Sequence, residues 1–231
     1  MWFSLGSPTL VEMALAGEPD LIVLDLQHGL WERRTLEYAV GLARRSVPVI
    51  ARLADHDAHS VSEALDAGVA SILAPFVETA EQARALVSYA HFPPAGIRSA
   101  GGVRALATGM GIALEDSRQV KVGAMIETVA GVAAVESIAA VPGLDYLFIG
   151  TGDLALSCAA AGAQDPAATV RTDSLRILAA ARARGIACGI FTDGIEDAKR
   201  QREAGFDFVV LLNDISMARD GFAAAGSAWR K

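Results

Sequence analysis

The chain has few charged residues and very few lysines for its length. Of 231 residues, 20% are charged, and Lys121, Lys199 and Lys231 are the only lysines. The net charge is −7, and the basic residues occur singly or in pairs. This pattern disfavours nucleic acid and anionic membranes as partners. With 52% hydrophobic residues, the low charge content indicates a large core or an oligomer interface.

Cysteine is also scarce, and long apolar runs are absent. Cys158 and Cys188 are the only cysteines and form no CxxC pair, which favours a reducing compartment without a disulfide framework. No run approaches the ~20 apolar residues of a membrane span. The N-terminal MWFSLGSP has neither the basic region nor the long apolar core of a signal peptide. We therefore expect a cytoplasmic protein with no membrane partner.

Short apolar runs bounded by turn residues recur along the chain and predict strands. They are Trp2–Leu5, Leu21–Asp25, Pro48–Arg52, Ser71–Ala74, Lys121–Ile126, Tyr146–Ile149, Ala187–Ile190 and Phe208–Leu212. About eight such strands alternate with about eight helical patterns, which predicts one α/β domain over residues 1–231, a (β/α)₈ TIM barrel. An open doubly wound sheet is the alternative, but no GxGxxG fingerprint follows the first strand.

Apolar residues at helical spacing predict the connecting helices. These are the segment after Pro8, Leu36–Arg45, Val61–Ala67, Thr79–Ala90, Val129–Ala140, Leu175–Arg184, Ile195–Ala204 and the tail from Ile215. Leu154–Val170 is rich in alanine, and we expect it to be irregular. Phe92–Asp116 contains several turn signals and no clean period, which is typical of a functional or mobile connection.

Two predicted strands are each followed by one acidic residue, and these two acids are the main indication of function. Tyr146–Ile149 leads through Gly150-Thr151-Gly152 to Asp153, and Lys121–Ile126 leads directly to Glu127. Either acid could simply favour the N-terminus of the next helix, although Thr128 is a better cap than Glu127. Because side chains at the carboxyl ends of barrel strands converge, we expect both acids to bind one Mg²⁺ or Mn²⁺ ion.

Three further side chains should converge on the same edge. His28 is a candidate general base because its ordinary pKa of ~6.5 lies near neutral pH, although a structural histidine is an equal alternative. Asp25 or Asp66 could orient it. Arg52 ends an otherwise apolar strand and is either a fork for a carboxylate or enolate, or the ion-pair partner of a neighbouring acid.

Other reactive groups have weaker support in the sequence. Lys121 opens its strand, Lys199 is in mid-helix and Lys231 is terminal, so none is placed for a Schiff base. A chain that makes or breaks carbon–carbon bonds next to a carbonyl would then need a metal as its electron sink. His56 and His59 form an HxxH without a third zinc ligand, and neither cysteine has a histidine close in sequence.

Several segments, in order along nearly the whole chain, resemble the HpcH/HpaI aldolases, which are metal-dependent pyruvate aldolases. They are LDLQHG from Leu24, IAR from Ile50, ALDAG from Ala64, FPPAGIRS from Phe92, MIET from Met125 and FIGTGDL from Phe148. The resemblance implies a barrel that usually forms a homo-oligomer, a hexamer or trimer, whose last helix packs on a neighbouring subunit. It implies cleavage of a 4-hydroxy-2-oxoacid to pyruvate and an aldehyde, with Mg²⁺ or Mn²⁺ (alternatively Co²⁺ or Zn²⁺) and no organic cofactor.

The same resemblance assigns roles to individual positions. Metal ligands would be Glu127 and Asp153, the base His28 and the enolate stabiliser Arg52. Asp66 matches the acid that raises the basicity of this histidine, although a position near a helix C-terminus points away from the mouth of the barrel. The backbone of Gly152 and Asp153 would receive the pyruvate carboxylate, and Trp2 would form an aromatic wall near the aldehyde.

Some positions depart from the family pattern, and two other functions stay open. Met125 stands where a glutamine is frequent, Gly150-Thr-Gly-Asp153 replaces Gly-Pro-x-Asp, and an N-terminal helix is missing. A citrate-lyase-β-like lyase acting on acyl-CoA would need a basic groove, which the few lysines disfavour. A non-catalytic barrel that binds a partner would lack a tight divalent-metal site.

Overall fold

The computed structural model places eight parallel strands side by side in sequence order. Residues 1–109, 111, 115 and 118–230 are described. The strands are β1 (Trp2–Phe3), β2 (Ile22–Asp25), β3 (Val49–Arg52), β4 (Ser71–Ala74), β5 (Lys121–Ile126), β6 (Tyr146–Ile149), β7 (Ala187–Ile190) and β8 (Phe208–Val209). One parallel bridge, Trp2 to Asn213, links β1 to the segment after β8. The sheet is therefore curled, consistent with the predicted TIM-like barrel.

Helices fill the connections between the strands. They are α1 (Pro8–Leu15), α2 (Arg33–Ala43), α3 (Ala58–Ala67), α4 (Ala80–Ala90), α5 (Val103–Thr108), α6 (Val129–Ala133), α7 (Val135–Ala139), α8 (Thr151–Ala160), α9 (Pro166–Arg184), α10 (Ile195–Ala204) and α11 (Asp214–Trp229). The predicted helix Val129–Ala140 is thus two short helices. The part of Phe92–Asp116 at residues 110, 112–114 and 116 lies outside the described residues.

The expectation that Leu154–Val170 is irregular was wrong. The segment contributes to α8 and to a long α9 that begins at Pro166. Asp165 caps α9 by accepting a hydrogen bond from the Ala168 N–H at 2.9 Å, and proline suits the first helical turn. Alanine has the highest helix propensity, so the composition favoured helix throughout.

The strands divide the core into two layers. Alternate residues such as Ile22 and Leu24 face the surrounding helices. The inner layer consists of side chains on the concave face of the curled sheet, with Val210 after β8: Trp2, Val23, Ile50, Leu73, Met125, Tyr146, Phe148 and Val210. Gly123 and Gly189 leave room for two of the enclosed rings, since an added Cβ would meet Tyr146 at 2.1 Å and Phe208 at 2.3 Å.

The described residues contain no helix both long and apolar enough to cross a membrane.

Candidate active site

The strand period of two places the candidate site residues directly above the inner layer. Residues two apart on a strand share a face. Asp25 therefore follows Val23, Arg52 follows Ile50, and Glu127 follows Met125 toward the carboxyl ends of their strands. The register sets Asp25 beside Arg52. The sequence predicted this convergence, and the structure brings these residues into one pocket.

The pocket has a volume of about 320 Å³. It is lined by Trp2, Ser4, Asp25, His28, Arg52, Met125, Glu127, Phe148, Gly150, Thr151, Gly152, Asp153, Phe191, Asn213 and Ile215. Every predicted site residue except Asp66 is in this set.

Asp25 and Arg52 form a buried ion pair at the pocket floor. The Arg52 guanidinium donates to both carboxylate oxygens of Asp25, at 2.8 Å from Nε and 2.5 Å from Nη2. Burial alone would raise the pKa of Asp25, but the hydrogen bonds and charge of Arg52, with smaller contributions from His28 and Trp2, hold it below its ordinary value. Arg52 therefore has the ion-pair partner that the sequence left as an alternative, and it also lines the pocket.

The Glu127 side chain is buried and only half satisfied. Its Oε1 accepts a hydrogen bond from the Phe76 N–H at 2.9 Å, while Oε2 has no hydrogen-bond partner among the described residues. Phe76 holds this amide in place with a positive φ of 51°, an unusual conformation for an aromatic residue. Burial raises the pKa of Glu127 to about 7; the Phe76 hydrogen bond opposes this rise, and the nearby charge of Asp153 adds to it.

Gly150 allows the free Oε2 of Glu127 to lie close to the main chain after β6. A Cβ at this position would stand 2.4 Å from Oε2. The glycine after β6 therefore keeps open the space into which the unpartnered oxygen points.

Asp153 lies in the first turn of α8, beside a set of free amides. The first main-chain hydrogen bond there runs from the Leu154 N–H to the Gly150 carbonyl at 3.0 Å. The N–H groups of Thr151, Gly152 and Asp153 precede it and have no partner within the described part of the chain. A helix N-terminus with free amides attracts a carboxylate or phosphate.

His28 stands on the turn after β2. Its backbone N–H donates to Asp25 Oδ1 at 3.2 Å, which fixes the main chain of the turn. Orientation of the His28 ring by Asp25 stays a prediction. The ring is exposed at the pocket and has no hydrogen-bond partner among the residues described. Its side chain is accordingly available to a ligand.

Trp2 lines the pocket together with two other aromatic side chains. Its ring lies 5.7 Å from Phe148 and 5.4 Å from Phe191 between centroids, and the Arg52 guanidinium lies 5.1 Å from the Trp2 ring centre. Trp2 Nε1 also donates to Asp25 at 3.3 Å. This aromatic side of the pocket thus adjoins the ion pair.

Asp66 does not form the predicted contact with His28 within the described chain. It lies near the end of α3, where the helix returns to the start of β4, at the edge of the sheet opposite the pocket. There it accepts a hydrogen bond from Arg98 Nη2 at 3.1 Å, and Arg98 covers the Phe92 ring. A catalytic role for Asp66 stays a prediction.

The sequence interpretation missed four pocket residues whose roles depend on tertiary structure. Phe191 directly follows β7, and Asn213 lies shortly after β8. Both could have been found from the rule that residues at the carboxyl ends of barrel strands converge. Ser4 directly follows β1, but it lay inside the longer predicted strand Trp2–Leu5. Ile215 carried no comparable signal.

The remaining reactive groups lie elsewhere. Lys121 pairs with Asp145 at 2.9 Å and Lys199 with Glu196 at 2.7 Å, while Lys231 is outside the described residues. Burial raises the pKa of the Cys188 thiol to about 12, which makes a thiolate nucleophile scarce.

The acids at the pocket fit a hard divalent cation. Over the residues described, no cluster of three or more His, Cys, Asp or Glu side chains is placed to hold a metal. Glu127 and Asp153 supply two carboxylates, and one buried oxygen lacks a partner. Mg²⁺ is commonly held by one or two carboxylates, with substrate and water in its other positions.

Comparison with known proteins gives consistent matches over almost the whole chain. The family model described as HpcH/HpaI aldolase/citrate lyase matches residues 1–220. A hydroxypyruvate/pyruvate aldolase of Paraburkholderia phytofirmans is 33% identical over 93% of this chain and 86% of its own. A 4-hydroxy-2-oxovalerate aldolase of Novosphingobium aromaticivorans is 38% identical over 67% of this chain and 60% of its own.

A solved structure shares the fold at similar sequence identity. The crystal structure of an HpcH/HpaI aldolase/citrate lyase family protein from Burkholderia cenocepacia J2315 superposes with a TM-score of 0.90. It is 33% identical, and the match covers 100% of this chain and 93% of that one.

Proposed function

Because the chain belongs to the HpcH/HpaI aldolase/citrate lyase family, we propose that it is a divalent-metal-dependent pyruvate aldolase. Family membership makes it a carbon–carbon lyase that acts on small oxoacids and aldehydes. The proposed reaction is the reversible cleavage of a 4-hydroxy-2-oxoacid to pyruvate and an aldehyde. The non-catalytic alternative and the acyl-CoA lyase gain no specific support from the pocket.

The observation that carries the proposal is the half-satisfied Glu127 carboxylate beside Asp153. These two residues would hold the cation. When bound, a divalent cation supplies a Lewis acid that polarises the keto oxygen and offsets enolate charge. No organic cofactor is needed for this chemistry.

The chain's own residues would do the rest of the work. The free amides of Thr151, Gly152 and Asp153 receive the substrate carboxylate. His28, whose ring is unpartnered among the described residues, removes the proton of the 4-hydroxyl group as the C3–C4 bond breaks. The bonding electrons pass to the enolate, and C3 then takes up one proton to give pyruvate. Arg52, fixed by Asp25, offers positive charge to the enolate oxygen. Trp2 and its aromatic neighbours shield the aldehyde side from water.

The proposal also covers closure of the barrel and its assembly with other copies. We place all 231 residues in one closed (β/α)₈ barrel, with the Trp2–Asn213 bridge as the closing contact. Helix α11 exposes Phe222 and Trp229, which would pack on a neighbouring copy in a trimer or hexamer.

Exchange of the pyruvate methyl protons in deuterated water tests the function. We expect exchange that depends on added Mg²⁺ or Mn²⁺ and stops with chelator. Glu127→Gln should lose about 10²- to 10³-fold in rate, because it weakens the hold on the cation that offsets the enolate charge. The control Glu136→Gln changes an exposed acid on α7 and should leave the rate unchanged. Exchange that survives chelator, or survives in Glu127→Gln, would refute the metal role.

A further inference from the structure

Asp214 is a buried carboxylate to which the proposed reaction assigns no role. It is the first residue of α11 and only 1% exposed. Its Oδ1 accepts from the Ser4 N–H and its Oδ2 from the Leu5 N–H, both at 2.9 Å. These bonds join the two ends of the chain across 210 and 209 residues.

Starting the helix does not require the Asp214 side chain. Asn213 already caps α11 by accepting a hydrogen bond from the Ser216 N–H at 2.8 Å. A buried charge costs free energy unless hydrogen bonds compensate it. The two amide bonds provide that compensation, so the carboxylate fixes the backbone of Ser4 and Leu5.

From Ser4 a buried chain of hydrogen bonds leads into the pocket. Ser4 Oγ donates to Asp25 Oδ2 at 3.1 Å, the oxygen that also accepts from Arg52 Nη2. The residues on either side of Asp214, Asn213 and Ile215, line the same pocket. The start of α11 and the Asp25–Arg52 pair are therefore parts of one connected structure.

We propose that Asp214 is a positioning residue that acts through Ser4 and Asp25 to hold Arg52 in its productive orientation. The inference rests on the proposed function, because the orientation of Arg52 affects the rate only if Arg52 stabilises the enolate. Asp214 itself does not touch the substrate. Replacing it by asparagine keeps the shape but sets an NH₂ group against one of the two N–H donors.

A double-mutant cycle of Asp214→Asn and Ser4→Ala tests the proposal in pyruvate proton exchange. Asp214→Asn should lower kcat by about 10- to 100-fold, the usual cost of losing a group that orients a site residue, with a much smaller change in KM. The losses of kcat in the two single variants should not add in the double variant, because both substitutions break the same series of hydrogen bonds. Additive losses, or an unchanged kcat, would overturn it.

A readout independent of activity separates this inference from the proposed function. The Arg52 Nε–H donates to a buried oxygen, so nitrogen NMR should show slow proton exchange with solvent. Asp214→Asn should accelerate that exchange. If wild-type protein exchanges no pyruvate protons, the proposed function fails, while the Arg52 signal still decides the role of Asp214. An unchanged Arg52 signal contradicts it.

The matched control is Asp145→Asn at the other edge of the sheet. Asp145 also accepts from a backbone amide, that of Val122 at 2.8 Å. This variant should lose thermal stability without changing kcat or the Arg52 signal. If Asp214→Asn does not fold, Ser4→Ala alone tests the link, since it keeps both amides. Ser4→Ala should lower kcat and accelerate Arg52 exchange, and no change in either would refute the proposal.

Discussion

At the residue scale, the proposed metal ligands differ in how far the sequence could define them. Glu127 and Asp153 were predicted because each follows a buried strand. Two features that leave one Glu127 oxygen free to bind a ligand were not predictable from the sequence. The Phe76 amide, at a positive φ, binds the other oxygen, and Gly150 has no side chain to block the free one. Both depend on neighbouring strands that are distant in sequence. Asp66 shows the opposite case, in which a motif match did not yield the expected contact within one chain.

Gly150→Ala tests the space beside Glu127. The added Cβ would stand 2.4 Å from Oε2, so the carboxylate must move away. We expect Mn²⁺ affinity to fall by about 10- to 100-fold, as when the surroundings of a metal ligand are disturbed. Calorimetry on metal-free protein measures it. Gly101→Ala, with nothing within 4 Å of the added Cβ, is the control. Equal affinities in the two variants would contradict the role of Gly150.

At the scale of elements, alternation of short strands with helices was enough to predict the sheet. All eight strands lie within the predicted runs, because parallel strands buried on both faces are nearly continuous apolar segments. Boundaries of helices were less certain. The start of α8 at Thr151 was missed because a glycine rather than a side-chain acceptor stands at its N-cap.

Gly123 in β5 leaves space for an aromatic ring inside the curled sheet. Gly123→Ala places a methyl group 2.1 Å from the enclosed ring of Tyr146, whose hydroxyl is held by the Ile72 carbonyl. We expect a loss of about 1–3 kcal/mol in the free energy of unfolding, typical of an overpacked core. Urea unfolding measures this value. The control Gly221→Ala adds its Cβ to open space in α11 and should not destabilise. A Gly123→Ala variant as stable as wild type would contradict the packing of the inner layer.

For the molecule as a whole, the low charge content and the apolar surface of α11 both favour an interface with another copy of the chain. Phe222 is 79% and Trp229 91% exposed in the isolated chain. A large exposed apolar patch can mark an interaction site, and we propose that a second copy of the chain covers these two side chains.

Sedimentation or light scattering tests the assembly. We expect wild-type protein to have the mass of a trimer or hexamer. The double variant Phe222→Ser/Trp229→Ser should shift to smaller species, because it removes the apolar contact. Met13→Ser, an exposed apolar position on α1, should leave the mass unchanged. A monomeric wild-type protein would contradict the proposed assembly.

We propose that Glu127 and Asp153 together hold the cation on which the chemistry depends. Crystals grown with Mn²⁺ and pyruvate would locate this cation through its anomalous signal. We expect one peak in the pocket, at roughly 2.1 Å from an oxygen of each carboxylate, the usual distance for a small hard divalent cation. A pocket with pyruvate but no peak, or a peak that contacts neither carboxylate, would contradict it.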